Sequence, residues 1–169
     1  MIASEILAKA AMLRGLHSSA FPFFGVERRG APVTSFCRID ERPIRVHSGI
    51  YEPDQVVVLD QALFRQHDTL SGLKEHGKIL ANTTKTEAQL GISPKFRLIP
   101  VDATSIALKR RLGPSTAPIV NTAMLGVLVR TLPGISIDEM IECIKDTVPV
   151  KKEENAAAAN DAYDTWRLI

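Results

Sequence analysis

Apolar residues recur at helical spacing from the start of the chain. Ile2, Ile6, Leu7, Ala10 and Leu13 share one face and Gly15 follows as a stop, which predicts an opening helix. The pattern breaks at residues 21–32, where Gly and Pro punctuate a loop-like segment that is unusually rich in phenylalanine. Residues 33–40 and 43–47 then read as two strands of an antiparallel hairpin turning at Glu41-Arg42. The second half alternates in type. Strands are expected at 55–59, 78–82 and 96–101, with a helical stretch through Leu63, Leu70 and Leu73 to His76, stopped by Gly77. Asp102 is placed to cap a helix carrying Ile106, Leu108 and Leu112, and Asn121 to cap an apolar helix over 122–130. Ser136 and Glu139 form a capping box with an Ile135–Met140 staple. Ile137, Met140, Ile141, Ile144 and Val148 supply the buried stripe of that helix. An Ala-rich helix at about 155–166 ends the chain. Strands separated by helices predict an α/β fold with a mainly parallel sheet, arranged as one domain over 1–169 with a helical extension at 150–169.

Composition narrows the function. The 169 residues are 45% apolar but only 5% aromatic, so aliphatic packing has to fill the core. A net charge of +2 gives no footprint for nucleic acid or an anionic membrane. No apolar run approaches the roughly 20 residues of a membrane span, and no secretory signal opens the chain, so a cytoplasmic protein is expected. Cys37 and Cys143 form no CxxC pair, so the four thiolates of a [4Fe–4S] cluster cannot come from this chain alone. No Cys/His spacing suits structural zinc.

Most local motifs have a plain reading. Residues 72–78 fit GxxxxGK, yet Ile79 stands where a P-loop needs Ser or Thr, and the segment enters a strand rather than a helix. No GxGxxG occurs, which leaves Asp60 a helix-capping role in preference to ribose binding. The four histidines lack ligand spacing, and Ser18-Ser19 lacks a nucleophile elbow. Residues 21–32 are different. Phe23 and Phe24 offer apolar anchors beside Glu27, Arg28 and Arg29, a mixture that suits a buried contact surface or a bidentate anion site.

Residues 20–33 (AFPFFGVERRGAPV) closely resemble the signature stretch of 2-oxoacid:ferredoxin oxidoreductase gamma subunits, especially the pyruvate type. The likeness continues through Arg38-Ile39-Asp40, Pro43-Ile44-Arg45, 50–54 (IYEPD), Val101-Asp102-Ala103-Thr104 and 118–126 (PIVNTAMLG), and reaches Ala162-Tyr163. The resemblance implies a Rossmann-like fold and a non-catalytic gamma subunit. It would assemble with alpha-, beta- and delta-type subunits that convert a 2-oxoacid and coenzyme A to acyl-CoA and reduce ferredoxin. Thiamine diphosphate, Mg2+ and [4Fe–4S] clusters are expected in those partners, coenzyme A as co-substrate, and no cofactor on this chain. Asn121, Met124 and Gly126 join Phe23, Phe24, Glu27, Arg28 and Arg29 as interface or anion-binding candidates. A pure scaffold role and a branched-chain 2-oxoacid enzyme are the alternatives. Family members usually begin with a strand and a Gly-Arg-Gly-Gly-Gln-Gly loop before the helix that here starts at Met1. The departure is read as a misassigned start codon or a truncation.

Overall fold

The structure, a computed structural model, describes residues 2–23, 33–46, 48–66 and 68–165. The opening helix α1 spans Ile2–Leu13 and buries Ile6, Leu7, Ala10 and Ala11. Gly15, at φ +73°, ends it in the left-handed conformation that a residue without Cβ adopts freely. Two antiparallel strands follow, β1 (His17–Phe23) and β2 (Thr34–Asp40), with Phe21 opposite Phe36. A three-stranded parallel sheet, in the order β3–β4–β5, is built from β3 (Gln55–Val58), β4 (Lys78–Asn82) and β5 (Arg97–Val101).

Both faces of that sheet are apolar, because parallel strands are covered on both sides. Alternation along each strand sorts the side chains. Val58, Ile79, Ala81 and Leu98 join a smaller cluster with Leu73 and Ile92, while Leu80, Ile99 and Val101 face the main core. The main core is closed by α1 and by α3 (Ala103–Lys109), α4 (Asn121–Val129), α5 (Ile137–Thr147) and α6 (Lys152–Thr165). A single helical turn, α2 (Glu87–Leu90), precedes β5; its Thr86/Gln89 capping box went unread in the sequence.

α4 is apolar all round and is wrapped accordingly, by β4 on one side and by α5 and α6 on others. Gly126 sits where α4 and α6 nearly touch. A Cβ there would overlap the carbonyl oxygen of Ala159. Ala156, Ala158, Ala159 and Ala162 keep the facing side of α6 flat enough for that approach. At the start of both helices the fully buried Thr122 hydroxyl donates to Asn155 Oδ1 at 2.9 Å. Asn155 Nδ2 in turn donates to the carbonyls of Val150 and Lys151. At the far end of α4, Arg130 stacks on Tyr163 with its guanidinium carbon 3.5 Å from the ring centroid. The last helix therefore packs as part of the core.

Four expectations are corrected. The hairpin partner of β2 is β1, whereas residues 43–46 form no strand; cross-strand pairing of Phe21 with Phe36 outweighs the Gly/Pro punctuation. Pro22 is tolerated because a two-stranded sheet leaves an edge. The helical stretch to His76 is only a 3-10 helix at Gln61–Arg65 followed by turns. Its apolar positions are too widely spaced for a continuous stripe, and Gly72 at φ +74° breaks the run. Asn121 is the first residue of α4 instead of its cap, and its Oδ1 accepts from Thr122 N at 3.0 Å. In the helix after β5 the buried positions are Ala103 and Ala107, with Leu108 left exposed.

The caps at Asp102 and Ser136 are present, and ion pairs reinforce two of the helices. Arg110 makes a bidentate contact to Asp161, at 2.7 and 2.9 Å, joining α3 to α6. Its hydrogen bonds hold the Asp161 carboxyl below the usual carboxylate range. Glu139 is likewise lowered, first by the Ser136 backbone N–H and then by Arg14. Groups with lowered folded pKa values stabilise fully above their unfolded values, about 4, and lose that contribution as pH falls through the folded ones. Asp161→Asn should therefore lower the urea midpoint at pH 6, with the gap to the unsubstituted protein narrowing by pH 3; a gap of constant size would contradict this.

Gly126→Ala should be severe for its size. Overpacking of this kind costs about 1–3 kcal/mol, which lowers Tm by roughly 2–12 °C in a chain of this length. A scan showing Tm within about 2 °C of the unsubstituted protein would show that α6 accommodates the methyl group.

Candidate functional site

The β1–β2 hairpin has two different faces, set by strand alternation. Ser18, Ala20 and Pro22, with Ser35, Cys37 and Ile39 opposite them, turn toward α1. Ser18 Oγ donates to the Ala8 carbonyl at 2.8 Å, and Cys37 and Ile39 pack against the main core. The other face carries Phe21, Phe23, Phe36 and Arg38. The ring centroids of Phe36 lie 5.5 Å from Phe21 and 6.0 Å from Phe23, with tilted and edge-on geometries favoured by aromatic pairs.

Arg38 ties the following irregular segment onto this face. Its Nη1 donates to the carbonyls of Val46 (3.1 Å) and Ser48 (2.7 Å), and its Nη2 to that of Gly49 (3.0 Å). Backbone carbonyls outside a sheet need partners, and one guanidinium fork supplies three. Its carbon also sits 5.9 Å from the Phe21 ring centroid, within cation–π range. Gly49 lies against the Phe36 ring and the Tyr51 ring. Tyr51 is next fixed by its backbone, since its carbonyl lies where a Cβ on Gly72 would be. Tyr51 is nevertheless 80% exposed and Phe23 55%. Val33 and Val46 are exposed as well.

This concentration is unusual for the chain. Among the described residues no aromatic side chain is fully buried; the buried core is mostly aliphatic, with Met124, Met140, Cys143 and Thr122 among it. Of the six phenylalanines and two tyrosines in the sequence, three phenylalanines and one tyrosine gather on this one surface.

The carboxyl ends of the parallel strands, where α/β sheets often bind ligands, are occupied by internal hydrogen bonds. Asn82 Nδ2 donates to the Leu59 carbonyl and to Thr104 Oγ1, while Thr104 N donates to Asn82 Oδ1. Asp60 caps the 3-10 helix by accepting from Ala62 N at 2.8 Å. Asp102 accepts from Ser105 N and Oγ.

The residues singled out in the sequence fall in two places. Phe23 ends β1 on the aromatic face, whereas Phe24, Glu27, Arg28 and Arg29 lie outside the described residues. Asn121, Met124 and Gly126 belong to α4, where Met124 fills the main core and Gly126 faces Ala159. α1 packs against both places. Phe36, Arg38 and Tyr51 were missed as site residues. The first two were legible as alternate positions of one strand, but only with the correct partner strand in view.

An α/β chain of this element order has known relatives. The family model described as pyruvate ferredoxin/flavodoxin oxidoreductase matches residues 1–165. The chain belongs to this family. It is 49% identical to the pyruvate/ketoisovalerate oxidoreductases common subunit gamma of Pyrococcus furiosus, covering 99% of this chain and 90% of that one. It is 50% identical to the pyruvate synthase subunit PorC of Methanothermobacter marburgensis, over 98% and 89% of the two chains. The crystal structure of the pyruvate oxidoreductase subunit PORC of Thermotoga maritima superposes with a TM-score of 0.78 at 32% identity, covering 96% of this chain and 86% of that one. The α/β fold of this family member, with its parallel sheet, antiparallel hairpin and C-terminal helices, is thus the one that the resemblance implied.

The donor set of the described residues does not suit a cluster or a metal. Among the described residues no group of three or more His, Cys, Asp and Glu side chains is placed to hold an ion. The thiols sit apart, Cys37 on β2 and Cys143 on α5, and burial raises both pKa values, that of Cys37 to about 11. A ligating sulfur has to be a thiolate, which these surroundings disfavour. None of the described helices is long and apolar enough to cross a membrane.

The raised pKa gives a direct check. Native Cys37 should react with iodoacetamide at pH 8 about a hundredfold more slowly than an ordinary cysteine near pKa 8.5. Labelling at the rate of a free thiol, followed by mass spectrometry, would contradict the burial of this face of β2.

Proposed function

We propose that the chain is the gamma subunit of a multisubunit pyruvate-type 2-oxoacid:ferredoxin oxidoreductase and that it contributes assembly contacts without carrying a redox cofactor. The observation that supports this most strongly is near-complete coverage at about half identity to relatives named as gamma or PorC subunits. Thiamine diphosphate with Mg2+ and the iron–sulfur clusters then belong to alpha-, beta- and delta-type partners, which decarboxylate the 2-oxoacid, form acyl-CoA and pass electrons to ferredoxin. The two cysteines, raised in pKa by burial and placed on different elements, are consistent with that division of labour. The cell compartment is the cytoplasm.

Within that reading, the aromatic face of the hairpin is the contact surface, with Phe23 among its anchors. Arg28 and Arg29, which lie between β1 and β2 in the sequence, are the candidates for a carboxylate or for a phosphate of coenzyme A. Met124 and Gly126 act from inside, by holding α4 and α6 together. The single domain spans 1–169, and within the segment 150–169 expected as a helical extension α6 packs into the core.

A second reading concerns the substrate. One relative is named as common to pyruvate and ketoisovalerate oxidoreductases, so this chain serves a branched-chain 2-oxoacid enzyme as well, if the sharing extends to it. The test is anaerobic affinity purification of the chain from its own cells, with coenzyme A-dependent reduction of a viologen dye assayed using each 2-oxoacid. Activity should co-elute with larger iron- and thiamine-containing subunits. A folded chain that elutes alone and inactive would contradict the proposal.

A further inference from the structure

We infer that Tyr51 is a preorganised anchor on the surface that receives the partner subunits, and that Arg38 is its positioning residue. The inference rests on the assembly reading above and names the residues that carry it.

Three observations meet at Tyr51. The residue is 80% exposed although its ring lies beside Gly49, which also borders Phe36. Its backbone is clamped on both sides. Upstream, Arg38 holds the carbonyls of Val46, Ser48 and Gly49. Downstream, Gly72 packs on the Tyr51 carbonyl, and Lys74 N donates to the Pro53 carbonyl. An exposed side chain on a fixed backbone loses little freedom on binding, which is what makes aromatic anchors effective.

The occupant is a partner subunit of the same enzyme. The chain belongs to a family whose matched relatives are named as subunits. Four of the described aromatic residues, Phe21, Phe23, Phe36 and Tyr51, gather at this surface beside an arginine, whereas Phe64, Phe96 and Tyr163 pack separately against the core clusters. Tyrosine, phenylalanine and arginine are the residues that concentrate at the centre of interfaces. The hydrogen-bond donors of Arg38 are committed to carbonyls of its own chain, so its part in the contact is to position the loop that carries Tyr51.

Lysine at position 38 would keep the charge but lose the planar fork that reaches three acceptors. The loop would loosen while the apolar residues stayed in place.

The test is co-expression of the chain with the other subunits of its enzyme, followed by measurement of the dissociation constant of the purified components. Tyr51→Ala should weaken assembly about tenfold or more, with the melting temperature of the free subunit nearly unchanged. Arg38→Lys should also weaken it and should raise amide exchange at 46–51, whereas Val150→Ala, an exposed apolar control on another loop, should do neither. If the unsubstituted chain assembles and both Tyr51→Ala and Arg38→Lys bind with its affinity, the inference is overturned and the assembly reading stands. If the unsubstituted chain does not assemble at all, the assembly reading fails first. A free subunit that self-associates through Tyr51 would overturn the choice of occupant.

Discussion

The close approach of α4 and α6 at Gly126 is the constraint on which the remaining architecture rests. Two helices can touch backbone to backbone only where small residues line the seam, and here Gly126 meets Ala159 within a run of buried alanines. That contact seats α6 in the core and leaves α4 surrounded, with β4 beneath it and α1, α5 and α6 around it. The Thr122–Asn155 hydrogen bond closes the seam at one end, while the Arg130–Tyr163 stack closes it at the other. A core made this way is dense but narrow. It is filled mainly by Leu, Ile, Val, Met and Ala, and among the described residues no aromatic side chain is fully buried in it, although Tyr163 packs against its edge.

The aromatics excluded from the core define the second half of the molecule. α1 is anchored to α5 and α4 on one side and supports the inner face of the β1–β2 hairpin on the other. The outer face therefore inherits rigidity from the core while presenting Phe21, Phe23, Phe36 and Tyr51. Water is a poor solvent for such a surface, and an exposed cluster of aromatics beside an arginine is the composition of an interface centre. The parallel sheet contributes less to this account than its type suggests, since the polar groups at the carboxyl ends of its strands are turned on one another.

Much of this was legible in the sequence where a local signal and the tertiary environment agree. The Ser136–Glu139 capping box, the cap at Asp102 and the three short apolar strands are set by side chain–backbone bonds and by alternation within a few residues. The hairpin was not, because its partner strand contains Pro22 and borders a Gly-rich segment, so local punctuation pointed to a loop. The role of Arg38 was hidden for a related reason. Its three acceptors are main-chain carbonyls eight to eleven positions away, and no side-chain pattern marks them. Family resemblance supplied the assembly context that neither periodicity nor spacing contains. It also directed attention to Arg28 and Arg29, which lie outside the described residues, and to Met124 and Gly126, whose visible contacts are internal.

Hydrogen–deuterium exchange of the isolated chain and of the assembled enzyme tests the central claim most directly. On assembly, peptides covering 17–23, 34–40 and 46–51 should gain protection, while those covering the exposed turns of α5 and α6 should change little. Protection gained on α5 and α6 with none across the hairpin and Tyr51 would place the partner elsewhere and contradict the account.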